Sequence, residues 1–351
     1  MTTGPLWDAP VPVPDETATQ AARERQIRLT KPPGSLGRLE EAAIRLAGQQ
    51  ASATPSMERV HVAVFAADHG VCAEGVSAFP QAVTGQMVRN FAAGGAAISV
   101  LSRQLGATME VVNLGTVEPL PAMAGVRDAT IAPGTRNLAR EPAMTADERD
   151  AALAAGDAAA ARAAEAEAEL FIAGDMGIGN TTSAAAVACA LLTMPPGVLV
   201  GRGTGVDDAG LARKRDAVAA GLARHGGDCS PLAVLASLGG LEIAAIAGAI
   251  RGAAARRLPV LVDGFIVSVA ALVVVQHSPD VAAWLHYAHR SREAGHDTVL
   301  QALAATPLLD LDMRLGEGSG AAVAVPLLRS ACAIQRGMAT FEDAGVSDAG
   351  Q

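Results

Sequence analysis

One rhythm constrains this chain more than any other: a valine-rich strand, a glycine turn, then a helix. Val60–Ala67 is an apolar run that ends in Asp68-His69-Gly70. Residues 169–173 lead into Gly174-Asp175-Met176-Gly177-Ile178-Gly179-Asn180-Thr181-Thr182 and then a helix over 183–192. Residues 259–262 end in Asp263-Gly264, with a helix over 265–276. A shorter run, 198–200, is read as one more strand ahead of Gly201-Arg202-Gly203-Thr204-Gly205. Strands alternating with helices imply an α/β fold with a mostly parallel sheet covered by helices on both faces. In such sheets ligands bind beyond the carboxyl ends of the strands, so Asp68, Asp175, Gly201 and Asp263 are expected in one cleft.

The remaining segments fit around that sheet. Helices are expected over 17–28, 38–49, 145–168, 207–224 and 239–255, and a long one over 81–105 interrupted near Gly94-Gly95. Thr145 with Glu148 three residues on reads as a capping box. Residues 109–114 and 129–132 read as further strands. The proline-rich, acidic stretch 1–16 is expected to be disordered or loosely packed, and the terminal helices are expected to form a small bundle beside the sheet.

Half of the 351 residues are hydrophobic but only 3% are aromatic, so the core must be built from Ala, Val, Leu and Ile. A formal net charge of -9 argues against a nucleic-acid binder, which usually shows a basic face. The four cysteines have no paired spacing and read as free thiols of a reducing cytoplasm. No signal peptide is read at the start, and the most apolar stretch, 265–275, is shorter than the about 20 residues that span a bilayer.

Four groups of residues carry chemistry. Leu315-Gly316-Glu317-Gly318-Ser319-Gly320 sets one carboxylate between glycines, where the backbone can turn sharply and a ligand can come close. Such a glutamate suits the removal of a proton from a bound molecule; the plainer reading is a solvated turn that caps the next helix. The turn at 174–182 would present backbone amides at a helix N-terminus, where an anion is favoured, although no Gly-Lys-Ser/Thr follows and it is not a P-loop. Gly203 repeats the arrangement, and Lys214 on the next helix could reach the same phosphate. Asp175, Glu242 and Asp263 could orient hydroxyls or polarise Glu317; they could equally be helix caps or, for Glu242, an ordinary helix-face charge. Asp68-His69-Gly70 reads as a strand-end pair shaping the cleft. His286, His289 and His296 lack zinc-helix spacing, and no metal is expected.

Read together, KPPGSLGRLE (31–40), ADHGV (67–71), EGVSAFPQAVT (74–84), GDMGIGNTTSAAA (174–186), LPVLVDGF (258–265) and MRLGEGSGAA (313–322) resemble the nicotinate-nucleotide–dimethylbenzimidazole phosphoribosyltransferase family, in the family's order over about 20–335. The resemblance implies transfer of 5-phosphoribose from nicotinate mononucleotide to 5,6-dimethylbenzimidazole, for the lower-ligand nucleotide of cobalamin. It makes Glu317 the general base. The phosphate and ribose site maps to Gly174, Met176, Gly177, Ile178, Gly179, Asn180, Thr181, Gly203 and Lys214. The base-binding wall maps to Ser77, Phe79, Pro80, Gln86, Met87 and Leu315. It further implies a six-stranded parallel sheet of Rossmann-like topology in a large domain (51–329), a small helical domain from 17–50 with 330–351, a homodimer and no cofactor. Asp175 stands where relatives can carry glutamate.

Two rivals remain at this level. A nicotinate mononucleotide nucleosidase would use Glu317 to activate water, and it predicts a polar base pocket where Phe79, Met87 and Leu315 offer an apolar one. A non-catalytic nucleotide sensor would keep the phosphate turns without needing a glutamate in a glycine bracket.

Overall fold

The computed structural model describes residues 7–203 and 205–347. Six parallel strands form one sheet in the order β3-β2-β1-β4-β5-β6. They are β1 (Val60–Ala67), β2 (Thr108–Gly115), β3 (Val126–Asp128), β4 (Leu170–Met176), β5 (Val260–Val262) and β6 (Leu285–Tyr287). All eight residues of β1 are buried, as a strand covered on both faces requires. The order reverses direction between β1 and β4, so the crevice at the carboxyl end of this pair is the natural ligand position.

Along the chain the helices are α1 (Glu16–Arg28), α2 (Arg38–Gln49), α3 (Val83–Ala93), α4 (Ala97–Leu105), α5 (Ala146–Glu165), α6 (Asn180–Leu192), α7 (Pro196–Leu199), α8 (Asp208–His225) and α9 (Pro231–Leu238). They continue with α10 (Leu241–Ala255), α11 (Phe265–His277), α12 (His296–Ala302), α13 (Ser319–Gly337) and α14 (Phe341–Ala344). One apolar cluster holds α5, α6, α10 and α11 against one face of the sheet; a second holds α2 and α13 against the other. Small residues set the spacing: a Cβ on Gly156 of α5 or Gly248 of α10 would overlap backbone of the opposite helix. The Thr145–Glu148 capping box forms as the sequence predicts.

Four expectations need correction. Residues 198–200 are not a strand; Pro195-Pro196 starts the short helix α7 there, a proline at N1 being pre-set for a helix. The strand expected at 129–132 lies at Val126–Asp128, although Ala129 and Ile131 still donate their N–H groups to Asn113 and Leu114 carbonyls. β6 was not foreseen. The segment expected to be loose is anchored over 7–15: Trp7 and Val11 are buried, and Trp284 Nε1 donates to the Pro12 carbonyl at 2.8 Å. The rest of it, 1–6, lies outside the described residues. The first two helices meet the long C-terminal one where α1 and α2 pack on α13, with Gln26 Nε2 donating to Gln335 Oε1 at 2.7 Å inside the contact.

Candidate active site

The carboxyl edge of β4 and the loop before α13 enclose a cavity of about 340 Å³. On one side Phe79, Val83, Met87, Met176 and Leu315 make an apolar slot; on the other lie Gly177, Asn180, Thr181 and Gly203. Asp175 and Glu317 stand between them. A smaller, polar recess of about 30 Å³ is lined by Ser77, Gly177, Gly179, Thr181, Arg202 and Lys214, among others.

Glu317 owes its place to the glycines around it. Gly316, Glu317 and Gly318 all have positive φ, 89°, 65° and 86°, a left-handed run that a β-carbon-bearing residue adopts only under constraint. Beneath it lies Gly174 of β4, where a Cβ would overlap the Glu317 carbonyl oxygen. Glu317 is 6% exposed and its Oε2 accepts the Ile98 N–H at 3.4 Å, from the first turn of α4. Burial pushes its pKa up, the Ile98 N–H pulls it down, and the Asp263 charge pushes it up again. A base poised above the ordinary carboxylate range is matched to proton transfer near neutrality.

The anion side is built differently. Gly179, at φ 97°, ends the turn before α6, and Lys214 of α8 reaches over to donate from Nζ to Thr181 Oγ1 at 2.9 Å. Burial draws the Lys214 ammonium down to about 8, while Glu293 opposes the fall. A buried ammonium beside a helix N-terminus, hydrogen-bonded among the described residues to a hydroxyl, is suited to an anion. Ile178 does not offer its own amide: that N–H donates to Thr84 Oγ1 at 3.1 Å, so this residue contributes shape to the turn.

The expected carboxylates divide. Asp175 faces the cavity and accepts from Asn180 Nδ2 at 3.0 Å. Burial, then the Asp263, Glu242 and Glu317 charges, hold its carboxyl well above the usual range. Asp263 is buried behind the cavity wall, accepting the Ala321 N–H at 2.7 Å, and His289 Nε2 lies 3.7 Å from it. Burial raises its pKa, and His289 opposes the rise. Glu242 is not a helix-face charge and does not reach the cavity; it is fully buried, with His69 Nε2 at 2.6 Å from its Oε1. The single expected cleft is likewise divided, for Asp68 lines a separate cavity of about 200 Å³ with Gln81, Arg89 and Thr116. Gly201 packs beneath Glu293 instead of lining either.

Among the expected base-binding residues, Phe79, Met87 and Leu315 line the slot, while Pro80 and Gln86 are exposed outside it and Ser77 belongs to the polar recess. Gly174 supports Glu317 from within β4 and meets no cavity. Sequence reading weighed His289 only as a metal ligand and missed Ser291, Glu293 and Arg314; all four line the main cavity. The first three follow β6, and with that strand unrecognised its carboxyl end could not be located. Arg314 donates to the Gly203 carbonyl at 3.1 Å and closes the far wall. Of the three histidines, His286 is occupied with Gln49 and His296 with Ser268, each pushed down to about 3 by burial.

Comparison with known proteins decides the family. The family profile described as phosphoribosyltransferase matches residues 11–346. A nicotinate-nucleotide–dimethylbenzimidazole phosphoribosyltransferase of Xanthomonas axonopodis pv. citri is 58% identical over 96% of this chain and 97% of its own length. The chain belongs to that family. The enzyme of the same description from Azotobacter vinelandii is 59% identical over 96% of both chains. The crystal structure of the Thermus thermophilus enzyme of that family superposes with a TM-score of 0.91 at 49% identity, covering 95% of this chain and 99% of the other. This phosphoribosyltransferase thus has the six-stranded parallel α/β fold that its strand-turn-helix rhythm implied. Among the described residues no helix is long and apolar enough to cross a membrane.

Proposed function

We infer that the protein transfers 5-phosphoribose from nicotinate mononucleotide to 5,6-dimethylbenzimidazole, giving α-ribazole 5'-phosphate and nicotinate, with Glu317 as general base. One observation carries the assignment of the base. A buried, constrained carboxylate stands between an apolar slot and an anion-ready turn. The flat acceptor fits the slot, and the nucleotide phosphate fits the recess of Thr181, Gly203 and Lys214.

In this reading one benzimidazole nitrogen attacks the ribose C1 carbon while Glu317 takes the proton from the other. The C1–N bond to nicotinate breaks, and its electron pair stays on the pyridine nitrogen, which thereby loses its positive charge. Attack from the face opposite nicotinate inverts a β-nucleotide to an α-riboside. Positive charge developing on the sugar is stabilised by Asp175, with Asp263 behind it. The cationic nicotinate ring would itself draw down the raised pKa of Asp175 on binding, so the carboxyl becomes charged when it is needed. The phosphate does the reverse for Lys214, favouring its ammonium form.

The apolar slot favours an aromatic acceptor over water, against the nucleosidase reading. The same reading includes a homodimer and a cytoplasmic setting. Phe79 and Leu315 are 49% and 58% exposed at the mouth of the slot, a rim that a second copy would cover, and sedimentation velocity checks it. The direct test is incubation with nicotinate mononucleotide, with and without 5,6-dimethylbenzimidazole, following nicotinate and α-ribazole phosphate by chromatography. Product only with both substrates supports transfer. Nicotinate release without acceptor would replace it with hydrolysis, and nucleotide binding without turnover would favour a sensor.

A further inference from the structure

His69 stands at the end of β1, fully buried, with its ring directly beneath the anion turn. Its two nitrogens reach two different helices. Nε2 lies 2.6 Å from Glu242 Oε1, in the first turn of α10, and Nδ1 lies 3.0 Å from Ser183 Oγ, in the first turn of α6. Both partners are buried, and the second oxygen of Glu242 has no hydrogen-bond partner among the described residues. The ring also fills the space that two glycines leave. A Cβ on Gly177 would stand 3.0 Å from Nε2, and one on Gly240 would overlap Cε1. The His69 carbonyl accepts Gln81 Nε2 at 3.0 Å, which joins the segment before α3 to the same point.

A ring held from both ends has one position. The turn above it has only glycine at the contact, and Gly177 rests on the Ala67 carbonyl and on that ring together. We propose that His69 is a positioning residue for the anion turn, holding 177–181 at the height at which they meet the nucleotide's phosphate. Glu242 is the anchor of that ring and Ser183 its link to α6. This rests on the transferase reading only for the identity of the ligand. The arrangement gives the sequence ADHG a reason that the acceptor slot does not: the histidine acts on the phosphate side without touching substrate.

The consequence is a division between kinetic constants. Loosening the ring should weaken the hold on the nucleotide and leave the acceptor slot and Glu317 undisturbed. We therefore expect Ser183→Ala to raise the KM for nicotinate mononucleotide about fivefold and Glu242→Ala about tenfold or more. Glu242→Gln, which still offers an oxygen to Nε2, should recover most of that loss. The KM for 5,6-dimethylbenzimidazole should stay within about twofold in all three, and kcat within about twofold in Ser183→Ala alone, because the Glu242 variants also remove a charge that acts on Asp175. Because both side chains act through one ring, the double variant Ser183→Ala, Glu242→Ala should fall short of the product of the single effects. Two results would overturn the proposal: an unchanged nucleotide KM in Ser183→Ala, or equal rises in both KM values. Ser183→Ala removes only a hydroxyl and tests the idea even if Glu242→Ala fails to fold. Titration calorimetry with nicotinate mononucleotide keeps the two readings apart. If the wild type forms no α-ribazole phosphate, the transferase reading fails, yet a weaker nucleotide dissociation constant in Ser183→Ala would still support the role of His69.

Discussion

Two glycine-rich turns, each feeding a helix, look alike in sequence and end in opposite states. The turn before α6 presents an N-terminus beside a buried lysine and a recess of about 30 Å³. The turn before α13 has its N-terminus filled from within, since Asp263 Oδ1 accepts the Ala321 N–H. A helix N-terminus attracts negative charge in both cases. In the second that demand is met by the protein's own aspartate, and the turn is free to carry a glutamate aimed elsewhere. The motif alone therefore does not make an anion site; what matters is whether a neighbouring carboxylate has already taken the amides.

The comparison breaks hardest at Glu317. Glu317→Gln keeps the size of the side chain and removes the proton acceptor, so kcat should fall by about 10²–10⁴ with nucleotide affinity retained. In the wild type kcat at saturating nicotinate mononucleotide, where the bound cation already holds Asp175 charged, should decline as pH falls through a value above the ordinary glutamate range near 4.3, since the raised pKa means that protonation begins earlier. That acid limb should vanish from whatever activity Glu317→Gln retains; if it persists, another group is the base.

The next effect lies on the other turn. Lys214→Met should weaken nucleotide binding about 100-fold while making the empty protein more stable at neutral pH, by about 3 kcal/mol, the worth of the fall from 10.5 to about 8. The sign follows from the depressed pKa. Between about 8 and the unfolded value near 10.4 the unfolded chain binds more protons, so wild-type stability rises with pH through that window. The methionine variant should lose that rise, which melting curves between pH 7 and 10 would reveal. The smallest effect is at the slot: Phe79→Ala removes a half-exposed ring, and the acceptor KM should rise by about tenfold or less with the nucleotide KM unchanged.

Much of this was legible beforehand, for identifiable reasons. β1, β4 and β5 are apolar runs closed by glycine, and burial on both faces writes itself into such sequences. β6 is three residues with a histidine at its centre, too short and too polar to announce a strand, and its loss hid Ser291, Glu293 and the placement of His289. Asp175 and Thr181 declared themselves through a glycine turn at a strand end, Glu317 and Lys214 through glycine turns that no strand immediately precedes. Glu242 carried no such mark. Whether a helical glutamate meets solvent, substrate or a buried histidine depends on what the tertiary fold brings against it, and here that partner lies 173 positions away.

The missing side chain at Gly174 ties chemistry to architecture. β4 lies at the middle of the sheet, and the Glu317 carbonyl rests where a methyl group would otherwise stand. The Glu317 carboxylate thus takes its bearings from a central, fully paired strand, not from the surface loops around it. An alanine at this one interior position would shift the aim of a residue 143 places further along the chain.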